Sequence, residues 1–437
     1  MMKKLFTLLA VTIAFTINAQ TNTNTGTESL NDEDTGTNNS AFGYQSLKSN
    51  ISNKNSAFGA ESLEFNTTGF FNSAFGYQAL QSNTEAKSNS AFGHRSLTSN
   101  TTAEYNSAFG DLALEDNSTG GSNTALGYGV LKNNLEGKFN TAVGSRSMET
   151  NNSDYNTAVG ALALAGDNWG MSITNANHNT ALGYQALSKN EGSRNVATGS
   201  RALKNNTSGN DNVATGYYAL NSNTTASFNT AYGSMSLYSN TGANNTALGY
   251  WSLNSNTTGA NNTAFGYKAE ASANNATNQT IIGYEATGQA DNSVVLGNEN
   301  VTAVYMGEDS GAKVYAGEGS FTGNMTIGGD VVVSSDARLK ANIVSLGSTL
   351  AKLLLIDGKS YTMKKNGKQK IGVLAQDIQK VFPELVTTDE KDMLAVNYQG
   401  LVPVLINALK EQQSEIDIYR KEVSELRQMV NQLITKQ

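Results

Sequence analysis

Residues 89–110 read NSAFGHRSLTSNTTAEYNSAFG, and this stretch contains the same five-residue motif twice. The motif runs from Asn89 to Gly93 and again from Asn106 to Gly110, so the two glycines are 17 residues apart. The residues between the copies are mostly polar and include one leucine, Leu97, four positions after the first glycine. A motif that returns at a short, fixed interval is typical of a repeat protein.

The motif continues through most of the chain. Sixteen glycines occupy its last position: Gly43, Gly59, Gly76, Gly93, Gly110, Gly127, Gly144, Gly160, Gly183, Gly199, Gly216, Gly233, Gly249, Gly266, Gly283 and Gly297. Consecutive glycines are 16 or 17 residues apart, except for one interval of 23 and a final interval of 14. Fourteen copies carry Asn four residues before the glycine and Ala two residues before it, and twelve carry Leu four residues after it. One strand and a turn fit this period, whereas a two-helix repeat needs about 34 residues, so the pattern predicts a mainly β fold with a parallel β-solenoid over residues 39–300.

Alternation along the strand assigns the two faces of each copy, because side chains two residues apart in a strand point the same way. The residues one and three before the glycine are apolar and Ser or Thr, as in Phe42 and Ser40; in two copies the order is exchanged, as in Val196 and Thr198. Every copy therefore has an apolar group on this face, which we take as the interior. The opposite face carries Ala and Gly, whose small size permits close approach of another backbone.

The asparagines lie in register along the predicted ladder, where their side chains can hydrogen-bond from turn to turn. Proline would remove a ladder donor, and both prolines of the chain, Pro383 and Pro403, come after the repeats. At about 4.8 Å per turn, the stacked turns form a rod roughly 75 Å long.

The strand motif, most clearly residues 293–297 (SVVLG), resembles the head repeat of trimeric autotransporter adhesins. The resemblance covers roughly residues 39–300, although the period is longer than usual for that family until the last interval. It implies β-rolls packed three together as a homotrimer, with a host or surface glycan or protein as the ligand. A stripe of tyrosines after the glycine, such as Tyr250 and Tyr267, is a candidate contact surface, and packing between turns is the alternative.

Composition excludes several kinds of site. The chain has no cysteine, which excludes disulfides, thiolate zinc sites and cysteine nucleophiles. With His94 and His178 as its two histidines, a histidine-based triad or metal site is disfavoured, and we expect neither a cofactor nor a metal. Residues 21–335 carry 13 basic and 25 acidic side chains, which argues against a nucleic-acid partner.

The segments around the repeats have patterns of their own. Lys3 and Lys4 precede an apolar run that ends near Ala19 and is too short to span a bilayer, which predicts a signal peptide over residues 1–19 and a secreted or bacterial cell-surface location. Residues 20–38 lack apolar periodicity and are predicted to form a flexible leader. Residues 301–334 contain short β-like runs with glycine and are predicted to form a β stalk, and no later stretch is predicted to be a transmembrane helix.

Three further segments follow in order: residues 334–343 (SSDARLKANI), 371–386 (IGVLAQDIQKVFPELV) and 394–398 (LAVNY). Together with a terminal coiled coil, they resemble the intramolecular chaperone domain of endosialidases and phage tail fibres, which also occurs in myelin regulatory factor. The resemblance implies a small α/β domain over residues 335–404. Domains of this family fold as trimers, help the preceding fibre to trimerise and then release themselves by cutting their own chain.

Carried onto this sequence, the resemblance implies cleavage between Ser335 and Asp336, with Ser335 as nucleophile and Lys340 as general base of a serine–lysine dyad. A lysine accepts a proton at neutral pH only when burial or nearby positive charge lowers its pKa, so cleavage is expected to follow trimer closure. The local residues also fit a simple alternative, helix capping, in which Ser335 or Asp336 satisfies the first N–H groups of a helix that starts near Ala337.

A heptad pattern predicts a helix from about Gly400 and a coiled coil over residues 405–437. One core position holds Leu409, Ile416, Val423 and Val430, and the other holds Gln412, Tyr419, Leu426 and Leu433. β-Branched residues at the first position with leucine at the second favour two strands. The expectation of a trimer therefore rests on the family resemblance.

Together with these patterns, the two resemblances imply an exported, adhesin-like trimeric fibre whose chaperone is a single-turnover, self-cleaving serine endopeptidase, with no other enzymatic activity. One alternative is a tail-spike-like enzyme that degrades extracellular glycans, which needs paired carboxylates about 5–9.5 Å apart; the repeats offer only irregular acids such as Glu61, Asp111 and Glu270. Another is a passive structural fibre without a ligand.

The insertion between Gly166 and His178 is a candidate contact loop or an inert insertion.

Overall fold

The computed structural model describes residues 22–30, 36–166, 175–305, 325, 327, 331, 333–364, 367–389 and 392–435. The chain divides into two compact units, Met1–Val314 and Tyr315–Gln437, which are described separately. The predicted signal peptide, most of the predicted stalk and the centre of the insertion after Gly166 lie outside the described residues.

The first unit is one ladder of short parallel strands. Its strands are β1 (Thr23–Thr25), β2 (Ser40–Phe42), β3 (Ser56–Phe58), β4 (Ser73–Phe75), β5 (Ser90–Phe92), β6 (Ser107–Phe109), β7 (Thr124–Leu126), β8 (Thr141–Val143), β9 (Thr157–Val159), β10 (Thr180–Leu182), β11 (Val196–Thr198), β12 (Val213–Thr215), β13 (Thr230–Tyr232), β14 (Thr246–Leu248), β15 (Thr263–Phe265), β16 (Thr280–Ile282) and β17 (Val294–Leu296). Each strand pairs with the next one in sequence, and equivalent motif residues face each other, as Ala91 faces Ala108. The predicted parallel β-solenoid is confirmed.

The ladder begins one turn earlier than residue 39. Strand β1 pairs in parallel with β2, and the backbone N–H of Asn39 donates to the side-chain oxygen of Asn22 at 2.9 Å. Asn22 and Gly26 lie 17 residues before Asn39 and Gly43, so this segment is a further copy of the motif. The prediction of a leader over residues 20–38 is therefore wrong for residues 22–30. This copy departs from the motif because Asn24 and Thr25 replace the alanine and the apolar residue.

The predicted assignment of the two strand faces is wrong. The alanine of the motif points inward, and Ala91 and the leucine beyond the glycine, Leu97, are both fully buried. The residues taken as the interior lie on the outer face, where Phe109 is 40% exposed and Leu126 is 50% exposed. The reason is the narrowness of the coil: the alanine methyl group from the strand, a mostly small side chain three positions after the glycine, such as Ser96 or Ala113, and one leucine fill the interior. An aromatic ring has no room there.

Glycine sets the distance between turns. At Gly93 the backbone φ angle is +144°, a conformation that side chains rarely adopt, and a Cβ atom would overlap the carbonyl group of Gly110 in the next turn. Three other residues of the same turn, Arg95, Leu97 and Tyr105, have φ angles of 54°, 53° and 62°. A non-glycine residue in this left-handed region costs about 1–2 kcal/mol. The turn is therefore held by the ladder bonds and the buried leucine rather than by local preference.

Two buried asparagine ladders follow the coil. In the first, the backbone N–H of Asn106 donates to the side-chain oxygen of Asn89 at 2.9 Å, and the Asn106 side chain donates to the carbonyl of Gly120 at 2.9 Å. The first ladder continues from Asn22 to Gln279 with distances of 2.8–3.0 Å, which confirms the predicted asparagine ladder. The second ladder was not predicted. It lies seven residues after the glycine, where the side chain of Asn117 donates to that of Asn100 at 2.9 Å.

The close approach of the turns predicts that Gly93→Ala destabilises the solenoid by about 3 kcal/mol or more, because it combines backbone strain with overlap on Gly110. The matched control is Gly129→Ala. Gly129 has a φ angle of +60°, and its Cβ would meet only a flexible arginine side chain at 3.7 Å, so a loss of about 1 kcal/mol is expected. Urea denaturation followed by circular dichroism measures both variants, and equal losses would contradict this account.

The second unit is a small α/β structure that ends in a long helix. Strands β18 (Lys359–Thr362) and β19 (Gln369–Gly372) form one antiparallel hairpin, and β20 (Val386–Thr388) and β21 (Leu394–Val396) form another. Helices α1 (Leu350–Leu353), α2 (Ala375–Val381) and α3 (Leu401–Ile434) complete it. Ile378, Phe382, Leu385 and Val404 form the core. The start of α3 agrees with the predicted helix from about Gly400.

Candidate functional site

The residues implied in cleavage lie in an exposed segment ahead of the second unit's core. Asp336 is in an extended conformation, with φ −64° and ψ 134°, and a short 3₁₀ turn, Ala337–Leu339, follows it. Lys340 leaves the turn in an extended conformation, and its backbone N–H donates to the carbonyl of Ala337. Residues 333–348 are all exposed in the single chain.

This turn brings Ser335 and Lys340 together. The side-chain Nζ of Lys340 donates a hydrogen bond to Oγ of Ser335 at 2.6 Å. The two residues are five positions apart, and the turn between them reverses the chain enough for the long lysine side chain to reach back. The pair has the geometry that a nucleophile and its base require, within hydrogen-bond distance of each other.

Asp336 has a separate role as a cap. Its Oδ1 accepts the backbone N–H of Arg338 at 2.8 Å, and its carboxylate also accepts the Arg338 guanidinium at 2.7 Å. These bonds lower the pKa of Asp336, with the arginine side chain as the largest cause. The capping alternative therefore describes Asp336, whereas Ser335 is bonded to Lys340.

Apolar side chains flank the Ser335–Lys340 pair without cover in the single chain. Leu339 is 72% exposed, Ile343 is 68% exposed and Val344 is 84% exposed. Side chains of this size are buried when a partner is available, because each buried methylene contributes about 0.8 kcal/mol. The segment thus presents an apolar surface next to the hydroxyl and amine.

A carboxylate on the long helix anchors the end of this segment. Glu411 of α3 accepts the backbone N–H groups of Thr349 at 2.6 Å and Leu350 at 3.1 Å, together with the Ser348 hydroxyl at 2.8 Å. These donors, the Thr349 N–H first, lower the pKa of Glu411. The sequence analysis missed this residue, since its role depends on a contact between segments about sixty residues apart.

Residues 335–387 match the family model described as chaperone of endosialidase. The second unit contains an endosialidase chaperone domain. The match begins at Ser335 and includes Asp336 and Lys340, and it confirms the predicted resemblance of this region.

The curated relatives are long tail fiber proteins Gp37 of bacteriophages. The protein of Escherichia phage AR1 is 35% identical over 92 residues, which cover 19% of this chain and 8% of the phage protein. That of Salmonella phage S16 is 30% identical over 112 residues, covering 23% and 15%, and that of Enterobacteria phage M1 is 32% identical over 97 residues, covering 20% and 39%. The chain thus spans less than half the length of these relatives. Its chaperone domain and β-solenoid make it a fibre-like protein related to phage tail fibres.

The acids considered for glycan cleavage are each engaged within the solenoid. Glu61 accepts the side chain of Gln78 at 2.8 Å, and Asp111 is bonded to the ring of His94 at 2.8 Å. Glu270 accepts the backbone N–H of Asn254 at 2.8 Å, and burial raises its pKa to about 7. The three lie in different turns, so they do not form a catalytic pair. Within the described ranges, no group of three or more His, Cys, Asp or Glu residues is placed to hold a metal.

Exposed aromatic residues stack from turn to turn along the solenoid. On the outer strand face, neighbouring rings from Phe42 to Phe109 stack with centroids 4.6–4.9 Å apart. After the glycines, Tyr250, Tyr267 and Tyr284 stack at 5.3–5.6 Å. These contacts agree with packing between turns, and they leave the ring edges exposed. None of the helices in the described residues is long and apolar enough to cross a membrane.

Because the pKa of Glu270 is raised, the stability of the last turns of the solenoid is predicted to depend on pH. The folded state holds the proton more tightly than the unfolded state, so the unfolding free energy falls as the pH rises from about 4.5 to about 7. Glu270→Gln is therefore expected to stabilise these turns at pH 8 by on the order of 1–3 kcal/mol and to change little at pH 4.5. Hydrogen-exchange protection of the Asn254 and Ser255 amides measures the stability of these turns in the wild type and in Glu270→Gln. Glu136→Gln, at an exposed position, is the control. If Glu270→Gln changed the stability equally at both pH values, burial would not be the cause of the raised Glu270 pKa.

Proposed function

We propose that this chain is the subunit of an exported, homotrimeric, adhesin-like fibre, located on a bacterial surface or secreted. Its chaperone domain drives trimerisation and is then released by self-cleavage between Ser335 and Asp336. The observation that carries the proposal is the 2.6 Å hydrogen bond from Lys340 to Ser335 within the residues that match the chaperone family.

Exposure of the pair in a single chain supports cleavage after assembly. A lysine ammonium has no lone pair with which to take the hydroxyl proton, and water stabilises that charged form. Contact between copies over Leu339, Ile343 and Val344 would remove water from the pair and favour the neutral amine. Trimer closure would then create the general base, and an unassembled chain would stay uncut.

Two further surfaces support self-association. The heptad positions of α3 are uncovered in the single chain, with Leu409 63% exposed and Leu426 55% exposed. On the solenoid, every strand from β2 to β17 carries an apolar side chain on its outer face, as at Phe42, Val196 and Leu296. A second and third copy of the chain present the same rows at the same spacing, which suits a symmetric assembly.

Variants of the Ser335–Lys340 pair test the proposed cleavage. Intact mass of the wild type is expected to show two fragments, one with a new amino terminus at Asp336. Ser335→Ala and Lys340→Arg are each expected to slow the cut about 100-fold or more, because the nucleophile or its base is lost, while the oligomeric mass is unchanged. Lys370→Arg is the control, since Lys370 is exposed in the same unit. Full processing of Lys340→Arg would refute its role, and an uncut wild type would refute self-cleavage.

Ligand binding by the solenoid distinguishes an adhesin from a passive fibre. The exposed aromatic edges of Tyr250, Tyr267 and Tyr284 favour a ligand, since such side chains are common anchors in binding surfaces. The released fibre is expected to bind a member of a glycan or matrix-protein array, and alanine at all three positions is expected to weaken that binding at least tenfold. Absence of any binding across both arrays would favour the passive fibre.

A further inference from the structure

The proposed cleavage raises a problem of connectivity at Ser335. This residue supplies both the attacking hydroxyl and the carbonyl of the bond that breaks. Its Oγ is joined to its own carbonyl carbon through Cβ and Cα, so attack within the residue would close a strained four-membered ring. The tether also prevents the oxygen from approaching the carbonyl carbon along the direction that addition requires.

Attack within the chain is feasible only on the preceding carbonyl. The same hydroxyl reaches the carbonyl carbon of Ser334 through a five-membered ring. That reaction breaks the bond between Ser334 and Ser335, one position before the proposed site. A cut after Ser335 therefore needs a hydroxyl from elsewhere.

The geometry of the segment suits a donor and an acceptor on different copies. The pair of Ser335 and Lys340 is complete within one chain and lies in the exposed residues 333–348. The scissile peptide is also exposed, and the bonds from Arg338 to Asp336 hold its far side in an extended conformation. A second chain can therefore approach both groups.

We infer that the Ser335 hydroxyl of one protomer attacks the Ser335 carbonyl carbon of a neighbouring protomer, so that the dyad acts between chains. This inference rests on the proposed function. It makes cleavage depend on assembly through the chemistry itself, because within a single chain the Ser335 hydroxyl cannot attack the carbonyl of the bond between Ser335 and Asp336.

The proposed cleavage reaction needs no co-reactant except water. Neutral Lys340 takes the hydroxyl proton as the Ser335 oxygen bonds to the neighbour's carbonyl carbon. The carbon–nitrogen bond to the neighbour's Asp336 breaks, and the lysine ammonium returns the proton to the departing nitrogen. An ester then joins the two chains. Water hydrolyses it, which leaves a carboxylic acid at residue 335 of the cut chain and restores the hydroxyl of the first.

Mixed assemblies test the inference. Wild-type full-length chains with one carboxyl-terminal tag are co-expressed with Ser335→Ala chains that carry a second tag, and assemblies that contain both are isolated by sequential affinity steps. The expected result is release of residues 336–437 bearing the second tag, at a level at least tenfold above that from Ser335→Ala chains alone. Lys340→Arg chains in place of Ser335→Ala give a second test, because they keep the native residue at the cut and lack only the base.

The outcomes separate the inference from the function on which it rests. If the wild-type chain is cut while both variant chains stay intact in the same assemblies, attack within one chain stands and the inference fails, whereas self-cleavage stands. A new amino terminus at Ser335 instead of Asp336 would also overturn it, in favour of attack on the Ser334 carbonyl. If wild-type chains alone remain uncut, the proposed function fails first.

Discussion

Direct contact between the glycine backbones of successive turns is the constraint on which the solenoid depends. Gly93 lies so close to the carbonyl of Gly110 that no side chain fits between them, and this spacing is what lets the strands on either side pair in register. Once the turns are that close, little interior space remains. An alanine methyl, one leucine and a mostly small side chain three positions after the glycine fill it, and the asparagine side chains accept hydrogen bonds from backbone amides that the short strands leave without partners.

The same constraint sends the larger apolar side chains outward. The interior has no room for aromatic rings. The large apolar residue one position before the glycine, such as Phe92 or Leu126, lies on the outer face and stays partly exposed, and the phenylalanine rings stack along the ladder. The chaperone unit also exposes apolar side chains, around Ser335 and at the heptad positions of α3. Both units leave apolar side chains uncovered in the single chain, which is the pattern expected of surfaces that associate with other chains.

Much of this could be predicted from the pattern of residues. The period of 16 or 17 predicted parallel turns, and the recurrent asparagine predicted its ladder, because both depend only on register. The assignment of faces failed, since hydrophobicity ranks phenylalanine above alanine for burial while the available volume reverses that order. At the candidate site, family resemblance pointed to Ser335 and Lys340, whose side chains are hydrogen-bonded, and the capping alternative describes their neighbour Asp336. Glu411 carried no local signal at all.

The sequence by itself determined the repeat, its register, the absence of proline from the ladder and the residue types at the candidate cleavage site. Each of these is a property of spacing along the chain. Only the tertiary structure decided which face of the strand is inside, that the ladder includes residues 22–30, that Lys340 reaches Ser335 and that Glu411 holds the start of α1. These outcomes depend on the interior volume of the coil and on contacts between backbone groups that are far apart in the sequence. Neither can be read from the order of the residues.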